Sequence, residues 1–140
     1  MSDFNSKIIE EFRANDGKVG GYFENTPLLL LHTTGAKSGQ ERINPVAYFE
    51  DNGHYVVIAS KGGAPDNPDW YHNILANPGV SIEVGTEQYK ATASVTSEPE
   101  RTELFNRMAE INPGFKEYEE KTSRTIPVIT FLLSKIWVYR

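Results

Sequence analysis

Residues that could bind an anion surround a turn early in the chain. In TTGAKSGQERINP, residues 33–45, Lys37 and Arg42 flank a turn that contains Gly35 and Gly39. Two cations beside exposed backbone amides could hold a phosphate or carboxylate group. The spacing is not that of a Walker phosphate loop, because only three residues separate the glycines and no helix follows. A solvated hairpin tip is the alternative that the same composition allows.

A second segment with chemical potential is ASKGGAPDNPDWYHN, residues 59–73. A strand ends in Ser60-Lys61-Gly62-Gly63 and leads into a helix. Adjacent glycines let a ligand approach the backbone closely, and Lys61 can place a positive charge beside a polarisable ring. The alternative is a flexible loop followed by Trp70 packed in the core.

Other catalytic chemistry is poorly represented in the sequence. The chain has no cysteine, which excludes thiolate nucleophiles, disulfides and cysteine-based zinc sites. His32, His54 and His72 are scattered without the spacing of a metal motif, so we predict no metal site and interpret them as packing or surface residues. Ser38 lies in GAKSG, which is not the nucleophile pattern of a hydrolase.

Length and charge limit the function classes. At 140 residues the chain is expected to form a single domain, residues 1–140, with its own hydrophobic core. A net charge of -5 argues against nucleic-acid binding, which needs a basic face. The N-terminus lacks a signal-peptide pattern, and no apolar run approaches the ~20 residues of a membrane span. We therefore expect a cytoplasmic protein whose anion site is local.

The elements that must position these residues are mostly strands. The segments LLLLHTT, ERINPVAYFE and HYVVIAS predict an antiparallel meander, with a turn at Asp51-Asn52-Gly53. Alternating apolar residues predict a second hairpin that turns at Gly85-Thr86. IPVITFLL and the following KIWVYR supply further strand material. This pattern predicts a mainly β (α+β) fold, a small antiparallel barrel with a short N-terminal helix and a few peripheral helices.

The N-terminal helix is predicted over about residues 3–14. Phe4, Ile8, Ile9 and Phe12 recur at helical spacing and form one apolar face. We expect this face to pack on the core; a lid over a pocket and a lipid surface are the alternatives.

Two more helices interrupt the strands. In DNPDWYHNILANP, Asn67 is expected to cap a helix that has Pro68 at its first position. In SEPERTELFNRMAEI, Ser97 and Glu100 have the spacing of a capping box. The buried stripe of this helix is predicted at Leu104, Phe105, Met108 and Ile111.

Three segments together resemble one known family. TTGAKSGQERINPV, IASKGGAPDNPDWYHNILANPGV and TSRTIPVI are similar to the deazaflavin-dependent nitroreductases, small actinobacterial split-barrel proteins that use coenzyme F420. The resemblance runs from about Leu28 to Ile129. It implies a split β-barrel in which the reduced cofactor donates a hydride to a quinone or a nitroaromatic compound.

The resemblance also implies which residues bind the cofactor. Lys37 and Arg42 match the positions that hold its phosphate and glutamate tail, and Pro45 matches a position that lines the ring. The whole implied set is Lys37, Arg42, Pro45, Ala59, Ser60, Lys61, Gly62, Asn67, Trp70 and Asn73.

Lys61 and Tyr118 are the candidate catalytic residues, Lys61 as an electrostatic hypothesis and Tyr118 from the resemblance. Lys61 is expected near the polar edge of the ring, where its charge would stabilise developing negative charge. Tyr118 matches a tyrosine of the substrate wall. Asn112 and Phe115 stand where further tyrosines are expected, which favours quinones over nitroimidazoles as substrates, and Ala47 replaces a tyrosine, which would enlarge the pocket.

Two other functions stay open at this point. An FMN-dependent split-barrel oxidoreductase would use the same fold, which does not choose the cofactor. A non-catalytic carrier of the deazaflavin or another small ligand would need no acid or base. As further hypotheses, the N-terminal helix could touch the inner face of the cell membrane, although Glu10 and Glu11 would repel anionic lipid, and exposed barrel edges are compatible with a homodimer.

Overall fold

A computed structural model describes residues 3–20 and 26–133. Within them are six strands: β1 (Leu28–Thr34), β2 (Glu41–Asp51), β3 (His54–Ile58), β4 (Gly79–Val84), β5 (Glu87–Val95) and β6 (Val128–Leu133). All pairings are antiparallel, and the strands close into a barrel in the order β1-β2-β3-β6-β5-β4. The predicted barrel and its opening meander are confirmed. The strand expected at KIWVYR, residues 135–140, lies outside the described residues.

The four consecutive leucines of β1 are explained by burial on both faces of the strand. Leu29 and Leu31 belong to the interior core of the barrel, whereas Leu28 and Leu30 belong to an outer cluster. Successive side chains of a strand point to opposite faces, so a strand covered on both sides has an uninterrupted apolar sequence.

Helices provide the outer cover. In the described part of the chain they are α1 (Asp3–Ala14), α2 (Asp69–Ala76), α3 (Glu100–Ile111) and α4 (Gly114–Lys121). Residues of α3 and α4 pack with the outward side chains of β2, β3 and β6, while α2 contributes Trp70 and Ile74 to the interior cluster. The predicted stripe of α3 is buried at Leu104, Phe105 and Met108, but Ile111, in the last turn, is 57% exposed.

The N-terminal helix packs on the barrel as expected. Ile8, Ile9 and Phe12 are buried with Leu28 and Leu30 of β1. The apolar side chains of these three residues are thus used within the protein. Across residues 3–20 and 26–133, no helix combines the length and the apolar character that crossing a membrane requires.

The start of α2 differs from the prediction. The helix begins at Asp69, and Pro68 occupies the cap position with extended backbone angles (φ -66°, ψ 156°) and no side-chain cap. Asn67 therefore lies before the cap. Its side-chain oxygen instead accepts a hydrogen bond from Arg124 Nη1 at 2.7 Å.

The capping box predicted for α3 is also wrong. Pro99 is the cap residue, so Ser97 lies two positions too early to cap the helix with its side chain. Glu98 takes this role, since its Oε1 accepts hydrogen bonds from the backbone N–H (3.0 Å) and the hydroxyl (2.7 Å) of Thr102. These hydrogen bonds lower the pKa of Glu98 below its ordinary value.

A polar cluster joins α1 to the outside of the barrel. Arg13 makes a two-pronged contact with Glu83 of β4, at 3.2 and 2.8 Å, and His32 Nε2 lies 2.5 Å from the same carboxylate. His32 Nδ1 is 3.3 Å from Glu41 but forms no hydrogen bond with the described residues. Burial would raise the pKa of Glu83, but the hydrogen bonds from Arg13 and His32 outweigh burial and lower it.

Replacing Glu83 by Gln is expected to lower the free energy of unfolding at pH 7 by about 1 kcal/mol, because charged hydrogen bonds to a half-exposed arginine are lost. The folded-state pKa of Glu83 is depressed, so its contribution is present above the unfolded pKa and disappears as pH falls through the folded value. Wild type and variant should therefore converge in stability below the ordinary value of 4.5. Urea unfolding at several pH values measures this, with Glu110→Gln on exposed α3 surface as control. A gap that persists at low pH would contradict it.

Candidate active site

A cleft lies on the outer face of β2, beside α4. Its volume is about 290 Å³, close to the lower end of the roughly 300–1,000 Å³ typical of small-molecule sites. The lining residues come from β1, β2, the end of β3 and the segment after it, the start of α2 with its cap residue, and α4: Leu28, Pro45, Val46, Ala47, Ile58, Ser60, Lys61, Pro68, Trp70, Phe115 and Tyr118. Most of this surface is apolar, and its polar groups are concentrated at Ser60, Lys61 and Tyr118.

A larger hollow, of about 950 Å³, lies beside the end of α1. Its lining contains none of the residues that the sequence marks as cofactor-binding or catalytic. The smaller cleft brings several of those residues together, so we take it as the candidate active site.

The polar wall of the cleft is a tight loop that follows β3. Lys61 to Gly63 form one turn of 3₁₀ helix, closed by hydrogen bonds from Gly63 N to the Ser60 carbonyl and from Ala64 N to the Lys61 carbonyl. Lys61 has a φ of 48°, in the left-handed region that a lysine rarely adopts. Such a conformation costs on the order of 1–3 kcal/mol and is concentrated at functional sites.

This wall presents unused donors. No acceptor within residues 3–20 and 26–133 is hydrogen-bonded to the N–H of Ser60 or of Lys61. The Lys61 ammonium lies 3.5 Å from Asp66 Oδ2, and both side chains are substantially exposed. An exposed ion pair is weak, so a ligand can replace Asp66 as the partner of Lys61.

Arg124, a residue that was not predicted from the sequence, supports this loop from the side away from the cleft. Its guanidinium donates to the carbonyl oxygens of Ala59 (3.3 Å), Ser60 (2.8 Å) and Ala64 (2.9 Å), and to Asn67 Oδ1 (2.7 Å). The available signal was an isolated arginine in TSRTIPVI, a segment that resembles the family but lies about sixty residues from its partners.

The loop also packs directly on α4. A Cβ added to Gly63 would lie 2.9 Å from the Tyr118 carbonyl oxygen and 2.9 Å from Lys121 Cβ, and Gly63 has a φ of 82°. Only glycine fits this contact. On the cleft side of α4, the Tyr118 ring packs edge-on against Phe115, with ring centroids 5.4 Å apart.

The basic turn is the hairpin between β1 and β2. Gly35 N donates to the Gln40 carbonyl at 2.8 Å, and Gly39 adopts a φ of 71°. Lys37 and Arg42 are exposed and form no ion pair with any acidic residue of the described ranges. The turn therefore carries two cations that are available to an anion.

Asn73 connects the turn to α2. Its side-chain oxygen accepts a hydrogen bond from Ala36 N at 3.0 Å, and its amide nitrogen donates to Thr33 Oγ1 at 3.1 Å. Because α2 also carries Trp70 of the cleft, this contact fixes the basic turn relative to the cleft wall.

The structure thus divides the predicted site residues into groups. Those that line the cleft are Pro45, Ser60, Lys61, Trp70 and Tyr118. Ala59 is fully buried beneath the wall, and Gly62 follows Lys61 in the 3₁₀ turn. Asn67 and Asn73 bind other protein groups, while Lys37 and Arg42 lie on the hairpin outside the cleft lining. Direct cofactor contacts of all these residues stay a prediction.

The arrangement can hold a flat ring with an apolar body and one polar edge. Pro45, Trp70 and Phe115 offer apolar surface to the ring faces, and the N–H groups of Ser60 and Lys61 can donate to oxygens at its edge. The basic turn can bind an anionic substituent of the same ligand.

Comparison with known proteins gives a consistent result. Residues 6–132 match the family model of the F420H2-dependent quinone reductases. An F420H2-dependent quinone reductase of Mycobacterium tuberculosis is 40% identical over 122 residues, which cover 84% of this chain and 82% of the relative. This confirms the resemblance seen in the sequence.

Solved structures agree with the fold. An F420H2-dependent reductase, FDR-A, is 42% identical, with a TM-score of 0.69 over 75% of this chain and 93% of its own. A domain-swapped dimer is 39% identical, with a TM-score of 0.71 over 90% of this chain and 92% of its own. The split-barrel prediction is confirmed, and the chain belongs to the F420H2-dependent quinone reductase family.

Proposed function

We propose that this protein is an oxidoreductase that transfers a hydride from reduced coenzyme F420 to a quinone. The observation that carries the proposal is the cleft wall at Ser60 and Lys61, where two backbone donors without acceptors among the described residues and one cation line an otherwise apolar cleft. Family membership over residues 6–132 supports the choice of cofactor and reaction.

The residues present fit a deazaflavin with an acidic tail. Its flat ring would rest against Pro45 and Trp70, with the ring oxygens at the N–H groups of Ser60 and Lys61. The phosphate and glutamate groups would reach Lys37 and Arg42, which are unpaired cations in the described part of a chain of net charge -5. A ligand without an anionic tail would leave this turn unused.

Lys61 is assigned an electrostatic role. When bound, the reduced cofactor would supply the hydride, and its ring would also have to release a proton, because loss of the hydride alone removes one negative charge from the ring. The Lys61 ammonium, held at the polar edge, would stabilise the deprotonated ring and so favour the proton loss that must accompany hydride transfer. The left-handed backbone of Lys61 fixes where its side chain leaves the wall.

Tyr118 is assigned to the acceptor. A quinone that receives a hydride gains negative charge on its oxygen, and a phenol hydroxyl can donate a hydrogen bond to that oxygen. Protonation from solvent then completes the hydroquinone. Phe115 has no hydroxyl and Asn112 is not among the residues that line the cleft, so this wall offers a nitro group few hydrogen-bond donors.

A direct titration tests the proposal against its alternatives. Purified protein is titrated with coenzyme F420 and, separately, with FMN, following quenching of tryptophan fluorescence; the reduced complex is then mixed with menadione. Selective F420 binding and oxidation of the reduced cofactor are expected. Tight FMN binding would support a flavin enzyme, and F420 binding without transfer to a broad quinone and nitroarene panel would support a carrier.

Self-association is proposed as a secondary property, because a similar structure is a domain-swapped dimer. Light scattering after size exclusion measures it. Membrane contact by α1 is less favoured, since Ile8, Ile9 and Phe12 pack on the barrel. A flotation assay with anionic vesicles distinguishes a soluble protein from a peripheral one.

Replacing Lys61 by Ala is expected to lower kcat/KM for reduced F420 and menadione roughly 10- to 100-fold, because one charge that stabilises the transition state is removed. Lys61→Arg should recover part of the loss. Lys90→Ala, on the exposed surface of β5, is the matched control. Steady-state kinetics measure the effect, and unchanged turnover in Lys61→Ala would refute the assigned role.

Replacing Lys37 and Arg42 together by Ala is expected to raise the Kd for F420 about 10-fold or more, since charge-assisted hydrogen bonds to the tail are lost. The loss should shrink at high salt, where screening already weakens these contacts. A deazaflavin that lacks the phosphate and glutamate tail provides the control, because its Kd should not change. Equal loss of affinity for both ligands would mean that the turn does not bind the tail.

A further inference from the structure

The segment that carries Arg124 contacts both ends of the cleft wall. Its acceptors are the carbonyl oxygens of Ala59, Ser60 and Ala64 and the side-chain oxygen of Asn67. Two of them precede Lys61 in the chain and two follow it. One side chain therefore holds together the loop in which Lys61 adopts its left-handed conformation.

The direction of the carbonyl groups determines the direction of the donors. In a trans peptide the C=O of one residue and the N–H of the next point to opposite sides. Because the carbonyls of Ala59 and Ser60 point toward Arg124, the N–H groups of Ser60 and Lys61 point away from it. Ser60 and Lys61 line the cleft, and these N–H groups have no acceptor among the described residues.

Arginine suits this position better than lysine. The guanidinium is planar and offers five N–H donors in fixed directions, whereas a lysine ammonium is a compact charge with three donors. Here Nε, Nη1 and Nη2 each bind a different part of the loop. The segment itself is anchored from α3, because Arg101 Nη1 donates to the Ile126 carbonyl at 2.8 Å.

We propose that Arg124 is a positioning residue of the cofactor site, which aims the N–H groups of Ser60 and Lys61 at the polar edge of the deazaflavin ring. Arg124 touches neither the ring nor the substrate and acts through the loop backbone. The inference rests on the proposed function, since it assigns these donors to F420.

Arg124→Gln and Arg124→Lys test the proposal. Both variants should raise the Kd for oxidised F420 about tenfold or more, the loss expected when two hydrogen bonds are misdirected. Lysine keeps the positive charge but lacks the planar guanidinium with its fixed donor directions, so it should fail to restore binding. In wild type, the amide resonances of Ser60 and Lys61 should shift when F420 is added, and in Arg124→Lys these shifts should be smaller.

Arg107→Gln is the matched control. It removes an arginine of α3 that pairs with Asp51 of β2 and, among the described residues, forms no hydrogen bond or ion pair with the loop or with the segment that carries Arg124, so it should lower the melting temperature while leaving the Kd for F420 near the wild-type value. If Arg124→Gln does not fold, the comparison is made with Arg124→Lys and with the wild-type amide shifts.

The outcomes distinguish a failure of the role proposed for Arg124 from a failure of the proposed function. Folded Arg124 variants with wild-type Kd, or wild-type protein whose Ser60 and Lys61 amides do not respond to F420, would overturn the positioning role alone. Wild-type protein that neither binds F420 nor transfers hydride to menadione would overturn the proposed function and this inference with it.

Discussion

The architecture depends on the burial of both faces of β1 and β2. The inner faces form the barrel core, and the outer faces must also be removed from water because they carry large apolar side chains. Different helices cover them: α1 packs over Leu28 and Leu30 of β1, whereas α3 and α4 pack over Phe49 of β2. The outward side chains between these covers belong to Pro45 and Ala47, and there the cleft lies. The site is thus a gap in a hydrophobic cover, which explains its apolar floor.

Most of the arginines in the described residues are paired within the protein, whereas the cations of the β1–β2 hairpin are not. Arg13, Arg101 and Arg107 pair with carboxylates and hold helices to the barrel, so their charge is already neutralised. Arg124 is directed at backbone carbonyls instead. This leaves the hairpin cations Lys37 and Arg42 available to a ligand, and a net charge of -5 does not oppose binding there because screening limits interactions between exposed charges to about 10 Å.

The regular elements could be read from the sequence because strand alternation and turn residues are local signals. The strand bounds of β1 and β2 agree closely with their segments, and Asn52-Gly53 forms the expected turn with positive φ at both residues. Helix starts were less predictable. Asn and Ser are common at the N-caps of helices, but they are equally common in loops. Only the tertiary contacts show that neither Asn67 nor Ser97 is a cap residue.

The site was predictable in part. Pro45, Ser60, Lys61, Trp70 and Tyr118, which the family resemblance singled out, line one cleft, and their contacts with the cofactor stay a prediction. What the sequence could not reveal is how the wall is supported. The partners of Arg124 are distant in sequence and are mostly backbone carbonyls. Every residue type has such a carbonyl, so the sequence does not show which ones Arg124 binds. Likewise, Asn73 was expected to frame the pocket, but its contacts with Ala36 and Thr33 appear only when hairpin and helix are folded together.

The contact between Gly63 and the backbone of α4 couples the two walls of the cleft, which are the loop after β3 and α4. Because Gly63 has no side chain, the loop cannot adjust to a tilt of α4 by changing a rotamer. Such a tilt would instead move the backbone of Gly63, two residues after Lys61. Side chains on the cleft face of α4 can change without disturbing this contact, whereas a shift of the α4 backbone would disturb it. A single substitution at a position such as Phe115 can therefore change the apolar side of the cleft while the loop that carries Lys61 keeps its conformation.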